Sequence, residues 1–145
     1  MEHDTLLLIK PDATSRNKIG EIIQIIEKHG FIIERLRMFR MDKGLASKFY
    51  AEHKGKSFYN RLMEFMQSGK VIGAVLHRNN AVEFLRELIG NTDHEQARPG
   101  TIRFLYGETI TRNAVHASDS VERAKEEIKL VFPDYQMYSE NHTEN

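Results

Sequence analysis

The sequence predicts an α+β fold in which an antiparallel sheet carries helices on one face, and three observations lead there. Short apolar runs rich in β-branched residues alternate with stretches of helical periodicity, in the order strand, helix, strand, helical hairpin, strand, helix, loop, strand, helix. Pro11, Gly30, Gly69, Gly90 and Pro133 fall at the junctions. With 145 residues the chain suits one domain with a proper core, so residues 1–145 read as a single unit. The order matches a ferredoxin-like βαββαβ sandwich with a four-stranded antiparallel sheet and helices packed on it.

Each element has its own reason. "TLLLIK", 5–10, is a buried strand that Pro11 stops. "NKIGEIIQIIEKHG" repeats isoleucine at near-helical spacing and ends at Gly30, well placed as a left-handed cap. "FIIERLRMFRM", 31–41, alternates only partly, as expected of a strand with one solvated or partner-covered face. Asp42 can cap one short helix and Ser57 a second that ends at Gly69. "KVIGAVLH", 70–77, is the strongest central strand, followed by an amphipathic helix ending at Gly90. Residues 91–113 have weak periodicity and read as a long loop, a kind of segment that often carries function. A short strand around "AVHA" precedes a helix capped by Asp119, with Glu122 completing a capping box, running to about Val131. The polar tail "SENHTEN" is expected to be loose.

Composition narrows the function. Lys plus Arg and Asp plus Glu are 21 each, so no global field draws the protein to nucleic acid or an acidic membrane. Any anion site must be local, and Lys10, Arg98, Arg103 and Arg112 recur where loops or strand ends are expected. The absence of cysteine excludes disulfides, thiolate chemistry and cysteine-bound zinc. The apolar run near the start is too short for a signal peptide or a membrane span, so a cytoplasmic location is expected.

Two motifs fail on spacing. "GKS" at 55–57 lacks the glycine a phosphate-binding loop needs five residues before Gly55, where the chain has Tyr50. "HEQAR" at 94–98 has Arg98 in place of a second zinc-binding histidine, with Pro99 directly after. His116 differs by its setting. Ala114, Ala117 and Ser118 leave room around its ring, Asn113 precedes it by three, and Ser118 and Asp119 stand at a helix start that favours anions. A buried, hydrogen-bonded ring is the plain alternative. Glu127, eight residues beyond Asp119, can project from the same side of that helix and hold one imidazole nitrogen, leaving the other with a free lone pair. Its plain alternative is a solvated helix glutamate.

These residues carry a resemblance. "NAVHASD" is similar to the active-site signature of nucleoside diphosphate kinases, Asn-x-x-His-(Gly or Ala)-Ser-Asp. "TLLLIKPDA" resembles that family's first strand and lysine, and "FYAEHKGKSF" its tyrosine and phenylalanine segment. "FLRELIGNTDHEQARPGTIR" keeps the family's arginine, threonine and second arginine, and the motifs run in order over residues 5 to about 132. Ala117 stands where glycine is usual, and "FLYGE" and His94 also depart from the commoner pattern.

The resemblance implies transfer of the γ-phosphate of a nucleoside triphosphate to a nucleoside diphosphate, by a ping-pong exchange through a pros-phosphohistidine on His116. It implies that Glu127 orients the ring with help from Ser118, and that Lys10, Tyr50 and Asn113 surround the moving phosphoryl group. Arg86, Thr92 and Arg103 would hold the other phosphates, and Phe58 would cover one face of the base. Magnesium is the implied cofactor, bridging β- and γ-phosphates through nucleotide oxygens and water with Asp119 in its outer shell. ATP is the usual donor, and the implied assembly is a homo-oligomer, a tetramer or hexamer of dimers. The competing readings are a non-enzymatic ferredoxin-like module that binds nucleotides or RNA, and a histidine-dependent phosphatase. Neutral charge and the lack of an RNA-recognition aromatic motif count against RNA.

Overall fold

The computed structural model describes residues 1–137. Its strands are β1 (Glu2–Ile9), β2 (Ile32–Arg40), β3 (Lys70–Asn79) and β4 (Val115–Ala117). Its helices are α1 (Pro11–Ser15), α2 (Ile19–Lys28), α3 (Lys43–Phe49), α4 (Tyr59–Met66), α5 (Ala81–Ile89), α6 (Ile102–Tyr106) and α7 (Val121–Val131). The sheet order is β2-β3-β1-β4, and every neighbouring pair is antiparallel. That is the expected βαββαβ sheet.

One expectation needs correcting. Helices cover both faces of the sheet, because β1 is apolar on both sides of its pleat. Leu7 and Ile9 pack with Ile22 and Ile26 of α2 and Leu85 and Ile89 of α5. Leu6 and Leu8 point the other way, onto Phe49 of α3, Met63 and Met66 of α4, and Ile128 and Val131 of α7. A run buried on both faces reads as continuous, and each such side chain contributes roughly 2 kcal/mol by leaving water. Gly73, in β3, lets α7 come close: a Cβ there would lie 2.9 Å from Val131 Cγ1. The edge strand β2 is mostly exposed, as its partial alternation predicts.

Several boundaries also move. Pro11 ends β1 and at the same time opens α1, where its missing N–H is no loss. Asp42 caps α3 by accepting from Leu45 N. Ser57 caps nothing, since α4 starts after Phe58 without a side-chain cap. The last helix is capped by Ser120, which accepts from Arg123 N, and Asp119 stays outside it. Residues 91–113 contain more order than a loop. Asp93 caps a short 3₁₀ turn at His94–Gln96 and Thr101 caps α6. The expected loose tail, residues 139–145, lies outside the described residues. No described helix is long and apolar enough to cross a membrane.

Candidate active site

The C-terminal end of β1, the strand β4, the start of α7, the α3–α4 hairpin and the 91–113 segment enclose a pocket of about 590 Å³. Lys10, Tyr50, Phe58, Arg86, Thr92, Arg103, Asn113, His116, Asp119 and Glu127 all line it. Every residue that the resemblance assigns to phosphate, base or metal contact therefore lines one cavity, with His116 and Glu127, while Ser118 does not.

His116 sits on β4, opposite Leu8 of the central strand. Its Nε2 lies 2.9 Å from Glu127 Oε1. A carboxylate can only accept, so Nε2 is the donor and Nδ1 keeps its lone pair, with no protein partner among the described residues. The edge of Phe49 packs on the ring at 5.0 Å between centroids. Glu127 is itself fixed: Ser118 Oγ donates to Oε1 at 2.6 Å and Arg123 Nη2 to Oε2 at 3.1 Å. Burial pushes the Glu127 carboxyl up, but the bonds and charge from His116, with Ser118 and Arg123, outweigh it and hold the group ionised below its usual range.

Around this pair the pocket is cationic. Lys10 Nζ donates to Asn113 Oδ1 at 2.8 Å and to Thr111 O at 3.3 Å, and Asn113 Nδ2 donates to Thr92 O at 3.0 Å. Burial, then repulsion from Arg103, pulls the Lys10 ammonium down to about 8, with Asp12 opposing. Arg103 spans Gly90 O and Val115 O, and burial together with Arg86 brings its guanidinium down to about 10. Arg103 Nε and the Tyr50 hydroxyl are buried without a partner. Such orphaned donors cost about 1–3 kcal/mol each, which makes sense where a ligand will satisfy them. Burial, and Glu127 nearby, raise the Tyr50 phenol, so it remains a donor. Phe58 is 36% exposed at the rim, close to the His53 ring. Arg86 and Thr92 lie on and just after α5, both exposed.

Three contributors are not among the residues singled out in the sequence. Asp12 is fully buried, and its Oδ2 accepts from Ala114 N at 3.0 Å while Lys10 N donates to Ala114 O at 2.8 Å. Those bonds hold Ala114 at φ 75, a left-handed conformation costing about 1–2 kcal/mol for a residue with a Cβ. The turn lets Asn113 and His116 face the same cavity. Arg123, one helical turn before Glu127, could have been found as an i,i+4 pair. Phe49, a buried aromatic at the end of α3, has no polar group to mark it. Of the four basic residues noted in the sequence, Lys10 and Arg103 enter the pocket, while Arg98 and Arg112 face two other clefts.

A histidine with one nitrogen held and one free, set among donors and cations that have no ion pair among the described residues, can accept a group that carries negative charge. Comparison with known proteins gives the same class. A sequence model of the family described as nucleoside diphosphate kinase matches residues 3–137. A nucleoside diphosphate kinase of Methanocaldococcus jannaschii is 44% identical over 138 residues, covering 95% of this chain and 99% of that one. One from Saccharolobus islandicus is 45% identical over 128 residues, covering 88% and 93%. Among solved structures, the Aquifex aeolicus nucleoside diphosphate kinase aligns with a TM-score of 0.89 at 41% identity, over 91% of this chain and 96% of that one. A halophilic nucleoside diphosphate kinase from Halobacterium salinarum, in complex with CDP, aligns with a TM-score of 0.88 at 32% identity over the full length of both chains.

Proposed function

The chain belongs to the nucleoside diphosphate kinase family, an enzyme class that passes the γ-phosphate of a nucleoside triphosphate to a nucleoside diphosphate, and we propose that here the group travels through His116. The observation that carries this reading is the Glu127 bond to Nε2, which leaves Nδ1 as the nucleophile. Nδ1 attacks the γ-phosphorus, an N–P bond forms, and the bond to the bridging oxygen breaks with its electrons leaving on the diphosphate. In the second half, a terminal oxygen of another diphosphate attacks the same phosphorus and the N–P electrons return to the ring. Glu127 stabilises the positive charge the ring carries while phosphorylated.

Lys10 and the unpartnered Tyr50 hydroxyl meet the oxygens of the moving group. Asn113 has both ends of its amide engaged, by Lys10 and Thr92, so its first task is to hold the lysine. Arg86, Thr92 and Arg103 take the remaining phosphates, and Phe58 offers a stacking face indifferent to which base lies on it. The CDP bound by the Halobacterium relative supports a nucleotide as occupant.

Magnesium fits this wall. Glu127 is fully engaged by protein, leaving Glu52 and Asp119 as exposed carboxylates on the pocket. Two such groups suit an ion that takes most of its oxygens from phosphate and water. When bound, it neutralises charge on the β- and γ-phosphates. Asp119, just before α7, and Glu52 are the residues that would hold it. A homo-oligomer, tetramer or hexamer, in the cytoplasm completes the proposal; light scattering in solution distinguishes the two assemblies.

The test is incubation with γ-labelled nucleoside triphosphate and magnesium. An acid-labile, alkali-stable phosphoenzyme is expected, discharged by added diphosphate and absent in His116→Ala. Label that survives this substitution would sink the role of His116. Label that passes only to water would favour the histidine phosphatase instead. The non-enzymatic module is disfavoured by the family.

A further inference from the structure

Arg112, one of the basic residues the active site leaves out, opens into a second cleft of about 430 Å³. Lys10, Thr111 and Asn113 line the catalytic pocket, whereas Pro11 and Arg112 line this cleft. The same two backbone segments therefore wall both.

Its charge is unusual. Arg40 and Lys70 are direct cross-strand partners in the β2–β3 ladder, and both line the cleft with Arg112. Like charges directly opposite each other destabilise a sheet. None of the lining residues is acidic, and neither Arg40 nor Lys70 has an ion pair among the described residues. Arg112 has one, a loose 3.7 Å contact with half-exposed Glu108. In a chain of zero net charge, three cations around one cavity without a carboxylate on its wall are a local anion field. Phe65 supplies an apolar floor, with the Arg112 guanidinium 5.3 Å from its ring centroid. Asn17 adds an amide.

We propose that this cleft is a second, non-catalytic site for a compact phosphate-bearing anion, of the size of pyrophosphate or a phosphate ester. Arginine forks match phosphate oxygens bidentately, and an anion between Arg40 and Lys70 removes their repulsion. The volume exceeds what one orthophosphate fills and lies within the range of small-molecule sites. The wall offers no histidine or carboxylate, so a phosphate held here is bound and not transferred.

Inorganic pyrophosphate titrated into ¹⁵N-labelled protein tests this by NMR. Saturable shifts are expected at the backbone amides of Ser15, Gly69 and Lys70, weakening as salt is raised. The double variant Arg40→Ser, Lys70→Ser should weaken that binding at least tenfold with no fall in its melting temperature and with phosphate transfer as in the parent. Arg112→Gln should weaken it independently. Amides of Gly69 and Lys70 that stay still would overturn the proposal, as would binding that is unchanged in the double variant. Displacement of pyrophosphate by a short single-stranded oligonucleotide at lower concentration would also overturn it, in favour of a nucleic-acid surface. The catalytic pocket reports separately through the amides of His116 and Ala117, so the two readings fail independently.

Discussion

Replacing Lys10 by methionine is expected to stabilise the protein while abolishing phosphate transfer. The ammonium is buried, and its pKa falls from the ordinary 10.5 to about 8. At ~1.4 kcal/mol per pH unit, keeping that charge at neutral pH costs the folded state about 3 kcal/mol. Methionine has a similar unbranched stem and no charge. Against the gain stand the lost bonds to Asn113 Oδ1 and Thr111 O, the first of which leaves a buried oxygen without its donor, about 2 kcal/mol together. The net is about 1 kcal/mol, or roughly 3 °C in melting temperature for a chain of this size. The pH dependence gives an independent check. Between 8 and 10.5 the unfolded chain holds the lysine proton that the folded chain has released, so the parent gains stability as pH rises through that window. The variant lacks this gain, and the gap between the two should close from pH 8 to pH 10.5. Urea unfolding of both at several pH values is the assay. A variant less stable than the parent at pH 7, or a gap that ignores pH, would refute the claim that Lys10 is held at the expense of stability.

The other predictions concern the same pocket. Tyr50→Phe removes a buried hydroxyl that has no partner, so it should raise stability by about 1 kcal/mol while slowing transfer; a loss of stability in thermal melts would contradict the orphaned state. Glu127→Gln weakens the hold on Arg123 and His116 while Arg123 keeps Glu126, so it should destabilise by about 1–3 kcal/mol and slow phosphoenzyme formation in rapid quench, with unaltered formation counting against Glu127 as orienter. Phe58→Ala should weaken nucleotide binding by about 1–3 kcal/mol with little change in the rate of transfer at saturation; calorimetry showing equal affinity would argue against base stacking.

The strands and long helices were legible because their signals are local. β1 is apolar at successive positions, and α2 repeats isoleucine on one face. What misled the reading was local ambiguity. A serine or aspartate near a helix start is a candidate cap, and only backbone geometry separates Ser120, which caps α7, from Asp119, one residue earlier, or from Ser57, which caps nothing. Both-sided burial of the sheet is not legible from element order, because which face each helix covers is decided by packing onto the doubly apolar β1. The residues proposed for the site stand out in the sequence for a different reason. His116, Asn113 and Asp119 share one short segment, so their chemistry is visible as a motif.

By itself, then, the sequence determined the βαββαβ order, the family, and the residue types that line the pocket, because periodicity and motif spacing are properties of neighbours along the chain. The tertiary structure alone decided how those residues act on one another. Asp12 meets Ala114 N 102 positions away, and Lys10 finds Asn113 103 positions away. Which imidazole nitrogen is free depends on a helix folding back over a strand. Like-charged Arg40 and Lys70 become neighbours only through sheet register. Burial, which strains Lys10 and strands the Tyr50 hydroxyl, exists only once the core has closed around them.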